Sequence, residues 1–244
     1  MKRYSHIGGN PESQTFGGFS GSNVLNEHFI MKIPDTLPMV QAGPILCAGL
    51  TMYDPLKYHG ATEKKGMTIG VVGIGGLGSI GVKLAKALGH TVVAISTKHE
   101  AEMAIQRGAD HFICSSDKEE MEKNKMSIDL ILNTIPAAHQ VMDYMNLLNF
   151  NGTIVQLGLV PEPHQLVQLP ILRYRWSLTG SHIGGIKATE EVLDLCAEHN
   201  ILPECEVVEA NQLDWVWEQL DHNKSGVRYV LDVKKSLANK DFLP

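Results

Sequence analysis

Residues 67–89, MTIGVVGIGGLGSIGVKLAKALG, restrict the fold of this chain more than any other stretch. Thr68 to Val72 is a short apolar, β-branched run, the composition of a strand buried on both faces. Gly73-Ile74-Gly75-Gly76-Leu77-Gly78 follows, a G-x-G-x-x-G. Ile80, Leu84 and Leu88 then recur at helical spacing, with Lys83 and Lys86 on another face. Strand, tight glycine turn and helix, in that order, bring a pyrophosphate to a helix N-terminus. Each glycine has a task in such a turn. Gly73 permits the turn out of the strand, Gly75 lets backbone approach phosphate, and Gly78 lets the helix lie close to the sheet. A glycine-rich loop that merely packs is the plainer reading. The strand before, the helix after and a second strand on time favour a dinucleotide.

That second strand is Thr91–Ser96. An acidic residue about 20 positions after the glycine loop would hold a free ribose 2′-OH. Ser96 lies 18 positions after Gly78 and is followed by Thr97, Lys98 and His99, with no carboxylate before Glu100. Two hydroxyls and a fixed cation suit a 2′-phosphate, so the corner predicts NADP over NAD. Capping of a helix starting near His99 is the competing explanation for the hydroxyls.

The rest of the chain extends the pattern. Strands are predicted at His111–Cys114, Ile128–Asn133, Gly152–Gly158 and Trp176–Gly180, with helices at Glu100–Gly108 and Ala137–Leu148. Asp117–Lys125 reads as a charged, solvated connection, and 161–170 as a Pro-containing stretch. Alternation from residue 68 to about 180 implies a doubly wound parallel sheet, an α/β fold. Before it, 1–24 reads as loop, Val24–Ile33 as strands and Met39–Tyr58 as helix. After it, Thr189–His199 is a helix with Val192, Leu195, Cys196 and His199 on one face. The tail, Cys205 to Leu231, mixes short strands with an amphipathic helix near Leu213–Leu220 and is expected to pack against residues 1–46.

Composition sets outer limits. With 244 residues the chain is between one and two domains at roughly 150 residues each. A net charge of −6 with no basic patch argues against nucleic acid and anionic membrane as partners. No apolar run reaches the ~20 residues of a membrane span, and the opening MKRYSHIGGN has no apolar core of a secretory signal. A cytoplasmic location is expected. Cys47, Cys114, Cys196 and Cys205 form no C-x-x-C, which fits a reducing compartment and mostly buried thiols.

Over nearly its whole length the sequence resembles the zinc-type medium-chain alcohol dehydrogenases, in particular the NADP-linked cinnamyl alcohol dehydrogenase group. The resemblance rests on GGFSGSNVLNEHFIMKIPDTLP, the stretch Gly43–Gly60, VGIGGLGSIGVKLAKALG, Ser96-Thr97-Lys98 and GSHIGGIKATEEVLDLCAEHNI at 180–201. It implies a Rossmann sheet with a partial GroES-like β-barrel. Residues 1–47 would be a catalytic-domain remnant, 48–186 the NADP-binding domain and 187–244 a return into the remnant. Thr51, Gly73, Gly75, Gly76, Leu77, Gly78, Ser96, Thr97, Lys98, Thr134, Gly158, Leu159, Ser181 and Ile183 match cofactor-contacting positions. His182 stands where an apolar residue is usual. Cys47 matches one protein ligand of the catalytic zinc.

Other family features are missing from this sequence: the first zinc cysteine, a G-H-E with the histidine ligand, and a four-cysteine structural lobe. The chain is therefore expected to start inside the barrel, with no residue assigned to catalysis. A catalytic zinc needs about three protein ligands and an open position, and His6 and His28 lie at no useful spacing from Cys47. A structural reading of Cys47 as a small buried thiol competes with the ligand reading. Two functions follow: an NADP-dependent alcohol/aldehyde oxidoreductase, or a non-catalytic NADP-binding or assembly module. A zinc-free reductase is a weaker third. An incomplete barrel would leave strand edges open, so a partner chain is expected to cover it. Family members also dimerise through the sheet edge, for which residues 171–181 are the candidates.

Overall fold

The structure is a computed structural model and describes residues 18–97, 100–221 and 227–238. Six strands form its main sheet: β1 (Thr68–Val72), β2 (Thr91–Ser96), β3 (His111–Cys114), β4 (Ile128–Asn133), β5 (Leu148–Gln156) and β6 (Ser177–Gly180). Their order is β3-β2-β1-β4-β5-β6, and every pairing is parallel. The chain winds outward from β1 to β3, returns beside β1 as β4, and winds out the other way. Ligands of open α/β sheets bind at this reversal, beyond the carboxyl ends of the strands.

The pleat sorts each strand's side chains between two cores. Ile69, Val71, Val92, Ala94, Leu130 and Leu132 face one core. Val72, Val93, Ile95, Ile128, Ile131 and Ile154 face the other. The first core is covered by α2 (Leu50–Tyr58), α3 (Gly78–Ala87) and α8 (Ile186–Glu198), through Met52, Leu56, Ile80, Leu84, Val192 and Cys196. The second is covered by α6 (Val141–Met145) and by Trp176, which follows α7 (Gln168–Tyr174). Apolar residues on both faces of a strand demand this double cover.

Helix α1 (Met39–Pro44) runs into α2 through a wider π-helical turn, Ile45–Gly49. The remaining helices are α4 (Ala101–Gln106), α5 (Lys118–Lys123), α9 (Leu213–Asp221) and α10 (Val233–Ala238). Two further strands, β7 (Cys205–Val208) and β8 (Arg228–Leu231), pair in parallel outside the main sheet, and α1 contacts both. No described helix is long and apolar enough to cross a membrane.

Four local expectations need correction. Residues 24–33 contain a 3₁₀ turn, Glu27–Phe29, and no strand, because the Asn26 side chain accepts a hydrogen bond from the His28 N–H at 2.9 Å. The helix expected from Ala137 begins only at Val141 and ends at Met145. Ahead of it, Asn133 Oδ1 accepts from Ile135 N (3.3 Å) and His139 Nδ1 bonds the Ala137 carbonyl (2.7 Å), which holds that backbone in a loop. Leu148 already pairs with Ile128 as strand. Residues 171–174 belong to α7, where Pro170 is tolerated in the first turn, so of residues 171–181 only those of β6 lie at a sheet edge. Finally, His199 is exposed; the buried stripe of α8 is Ala188, Thr189, Val192, Leu193 and Cys196.

Candidate functional site

The glycine turn is built as its sequence requires, but its glycines answer to different neighbours. Gly73 has φ +84°, and a methyl there would stand 2.8 Å from Thr134 Oγ1. The Thr134 hydroxyl lies against the carbonyls of Val72 (2.8 Å) and Gly73 (3.0 Å), locking the end of β1 to the end of β4. A methyl on Gly78 would stand 1.9 Å from the Gly73 carbonyl oxygen. Protein atoms therefore exclude a side chain at both positions. At Gly75 no protein atom lies within 4 Å of an added methyl. Open space at that position fits a close-approaching ligand.

A cleft of about 580 Å³ opens there, at the reversal point of the sheet. It gathers Gly73, Gly75, Gly76 and Leu77 from the turn, and Ser96, Thr97 and Thr134 from the ends of β2 and β4. These are seven of the fourteen expected cofactor residues. Glu100 lines the same cleft. Lys98 lies outside the described residues. Gly78 sits beneath the turn, packed on Gly73. Gly158 is pressed against the Ile135 carbonyl, 2.1 Å from an added methyl, and Leu159 is 88% exposed.

Ser181 and Ile183 line a second hollow of about 430 Å³, between α2 and the loop after β6. Ile183 holds φ +62°, an unusual conformation for a β-branched residue. Gly184 lets that loop close on Asp54 and Leu50, each 2.8 Å from an added methyl. The Thr51 hydroxyl donates to the Cys47 carbonyl at 2.8 Å, within its own helix.

Sequence reasoning missed three residues around the glycine turn: Arg107 and Glu204 line the cleft, and Arg228 lines an adjoining hollow that shares Gly76. Arg228, the first residue of β8, packs over the glycine turn: a methyl on Gly76 would stand 2.9 Å from its Nε. That Nε is buried and has no hydrogen-bond partner. An orphaned guanidinium nitrogen beside a glycine turn fits a phosphate ligand. Arg107 and Glu204 line the cleft as an ion pair, with Arg107 Nη1 donating to the Ile74 carbonyl at 3.2 Å. Arg228 is 152 positions beyond Gly76 in sequence (228 − 76), so no local pattern announces it.

The cysteines divide by environment. Cys114 and Cys196 are buried, and burial pushes the Cys196 thiol up to about 12. Cys205 is half-buried, and Cys47 is exposed in the π-helical turn, contrary to the expectation of a buried thiol. Ile45, Ala48 and Gly49 form the buried side of that turn, and Cys47 falls on the opposite side at helical spacing. Among the described residues no group of three or more His, Cys, Asp or Glu side chains could hold a metal ion. Cys47 alone does not fit a catalytic zinc.

Residues 76–198 match the family model described as zinc-binding dehydrogenase. The chain is 43% identical over 224 residues to a probable cinnamyl alcohol dehydrogenase of Pinus taeda, covering 91% of this chain and 62% of that one. It is 40% identical over 227 residues to a mannitol dehydrogenase of Petroselinum crispum, covering 92% and 67%. Among solved structures, a cinnamyl alcohol dehydrogenase from Sorghum bicolor superposes with a TM-score of 0.82 at 34% identity, covering 87% of this chain and 60% of that one. A CAD from Helicobacter pylori in complex with NADP(H) gives 0.72 at 36% identity, covering 82% and 56%. The chain thus spans a little under two thirds of the length of the first of these relatives.

Proposed function

The chain belongs to the zinc-binding dehydrogenase family, and on that premise we propose that it binds NADP(H) in the cleft above β1 and β4. The observation that carries the reading is the open position at Gly75 beside the orphaned Nε of Arg228. The α3 N-terminus and Arg228 would meet the pyrophosphate. Ser96, Thr97 and Lys98 would take the 2′-phosphate, and Thr134 would support the turn from below. Thr51, Gly158, Leu159, Ser181 and Ile183 would serve the nicotinamide side. An NADP(H) complex of a structural neighbour at 36% identity supports this assignment.

When bound, the reduced cofactor supplies a hydride. The activity proposed for the whole protein is hydride transfer between an alcohol and an aldehyde, in the manner of the cinnamyl alcohol and mannitol dehydrogenases it resembles. A second reading, a non-catalytic NADP-binding module, is favoured by the isolation of Cys47 among the described residues. Titration with NADPH, zinc analysis and NADPH oxidation with cinnamaldehyde separate the two. Stoichiometric zinc with turnover supports the dehydrogenase; NADPH binding without either supports the module; no NADPH binding overturns both.

The free edge of the sheet supports a homodimer. Among the described residues strand β6 pairs only with β5, and Ser177, Leu178 and Gly180 are exposed along it. Sizing chromatography reads this directly: a clean monomer at micromolar concentration overturns it.

A further inference from the structure

The Arg107–Glu204 pair lies where three parts of the molecule meet. Arg107 caps the C-terminal end of α4, and its side chain is only 9% exposed. Its Nε and Nη2 each reach a Glu204 oxygen at 3.0 Å, a two-pronged carboxylate contact. Its Nη1 donates to Ile74 O, inside the glycine turn. Glu204 immediately precedes β7, and its own carbonyl accepts the Arg228 N–H at 2.8 Å. The Arg228 side chain then returns to the turn at Gly76. A closed circuit results: glycine turn, Arg107, Glu204, Arg228, glycine turn. Lys83 Nζ reinforces it by donating to the Leu202 carbonyl at 2.8 Å.

Because every donor of Arg107 in this circuit has a protein acceptor, its role is to hold other groups in place. Resting on the NADP(H) reading above, we infer that Arg107, through Glu204, is a positioning residue that sets Arg228 for a pyrophosphate. The pairing also neutralises a carboxylate that would otherwise face an anionic ligand across the cleft. Hydrogen bonds from Arg107 hold the Glu204 carboxyl below its ordinary range, as an engaged anion should be.

Calorimetric titration of the full chain with NADP⁺ and with 2′-AMP tests this. The second probe carries adenosine and the 2′-phosphate but no pyrophosphate. In Arg107→Gln, NADP⁺ affinity is expected to fall about five- to tenfold, within the range of couplings carried by a positioned element. 2′-AMP affinity stays within twofold. In an Arg228→Gln background the same change costs less than twofold, because its effect passes through Arg228. An unchanged NADP⁺ affinity, an equal loss for 2′-AMP, or additive losses in the double variant each overturns the inference. Glu204→Gln gives the same test should Arg107→Gln fail to fold, a matter settled by circular dichroism. A native chain that binds NADP⁺ as tightly as its Arg107→Gln variant does overturns the inference alone; a native chain that binds no NADP⁺ overturns the NADP(H) reading and the inference with it.

Discussion

The six-stranded sheet and the β7–β8 pair are both wholly parallel, yet they keep their apolar surface in opposite ways. In the large sheet Ile69, Val71, Ile131 and Leu132 are fully buried, because helices lie on both faces. Around the small pair Val207, Trp215, Trp217 and Leu220 are 41–50% exposed. Further apolar residues, Val24, Leu25, Phe29 and Ile30, stand out on the segment before α1. Parallel strands need cover on both faces, and among the described residues only one region has it. The large sheet is therefore self-sufficient in burial. The small pair is held by ties: α1, Lys83 to Leu202, and Arg107 to Glu204.

The contrast breaks if substitutions in the two regions cost the same. Gly78→Ala places a methyl 1.9 Å from the Gly73 carbonyl oxygen, where neither backbone segment can give way cheaply. It is expected to cost about 3 kcal/mol, near the upper end for overpacking. Leu132→Ala, fully buried, is expected to cost about as much by leaving a cavity. Trp217→Ala, at 49% exposure, is expected to cost about 1 kcal/mol or less. Urea unfolding followed by far-ultraviolet circular dichroism reads all three. A Trp217→Ala loss matching Leu132→Ala would mean the small region shares the main core's cooperativity.

Gly75 sharpens the comparison within the site itself. Its neighbours impose nothing, so Gly75→Ala should leave the urea midpoint unchanged. NADPH affinity should fall about tenfold or more, equivalent to about 1.4 kcal/mol, because the methyl occupies the space a phosphate needs. Fluorescence titration with NADPH measures it. An unaltered affinity would place the ligand elsewhere.

These expectations show what a chain of this kind reveals from residue order alone. The six strands were legible because β-branched runs recur between turn residues, and their alternation with helices implied a doubly wound parallel sheet; the order β3-β2-β1-β4-β5-β6 is a finding of the structure. Local polar bonds erased the other signals. Asn26 turned an apolar run into a 3₁₀ turn, and the Asn133–Ile135 and His139–Ala137 contacts delayed α6. At the site, Gly73, Gly75, Gly78 and Thr134 were readable from spacing or resemblance. Arg107, Glu204 and Arg228 were not, since each acts through a partner at least 33 positions away. At Cys47 residue type suggested burial, but the position lies off the face that carries Ile45, Ala48 and Gly49.

Acid provides the gentlest way to separate the two regions. Glu204 is held below its usual range, chiefly by hydrogen bonds from Arg107. A carboxyl depressed in the folded chain contributes stability above its unfolded value, about 4.3, and loses it as pH falls through the folded value. Glu191 behaves alike through Lys57, but it ties α2 to α8 inside the main body. Protonating Glu204 loosens β7 from the glycine turn; protonating Glu191 loosens two helices that remain packed through Met52, Leu56 and Val192. With its side chain 42% exposed, Glu204 contributes about 1 kcal/mol or less. Below about pH 4.3, the exposed Trp215 and Trp217 should therefore report a change before the buried Trp176 does. Trp176→Phe and a double Trp215→Phe, Trp217→Phe variant assign the signals. In Arg107→Gln the early change should shrink, because the main group that holds Glu204 low is gone and only the charge of Lys83 remains. If Trp176 responds first, or at the same pH, the small pair is not the weaker partner, and the distinction between a self-covered sheet and a tethered one fails.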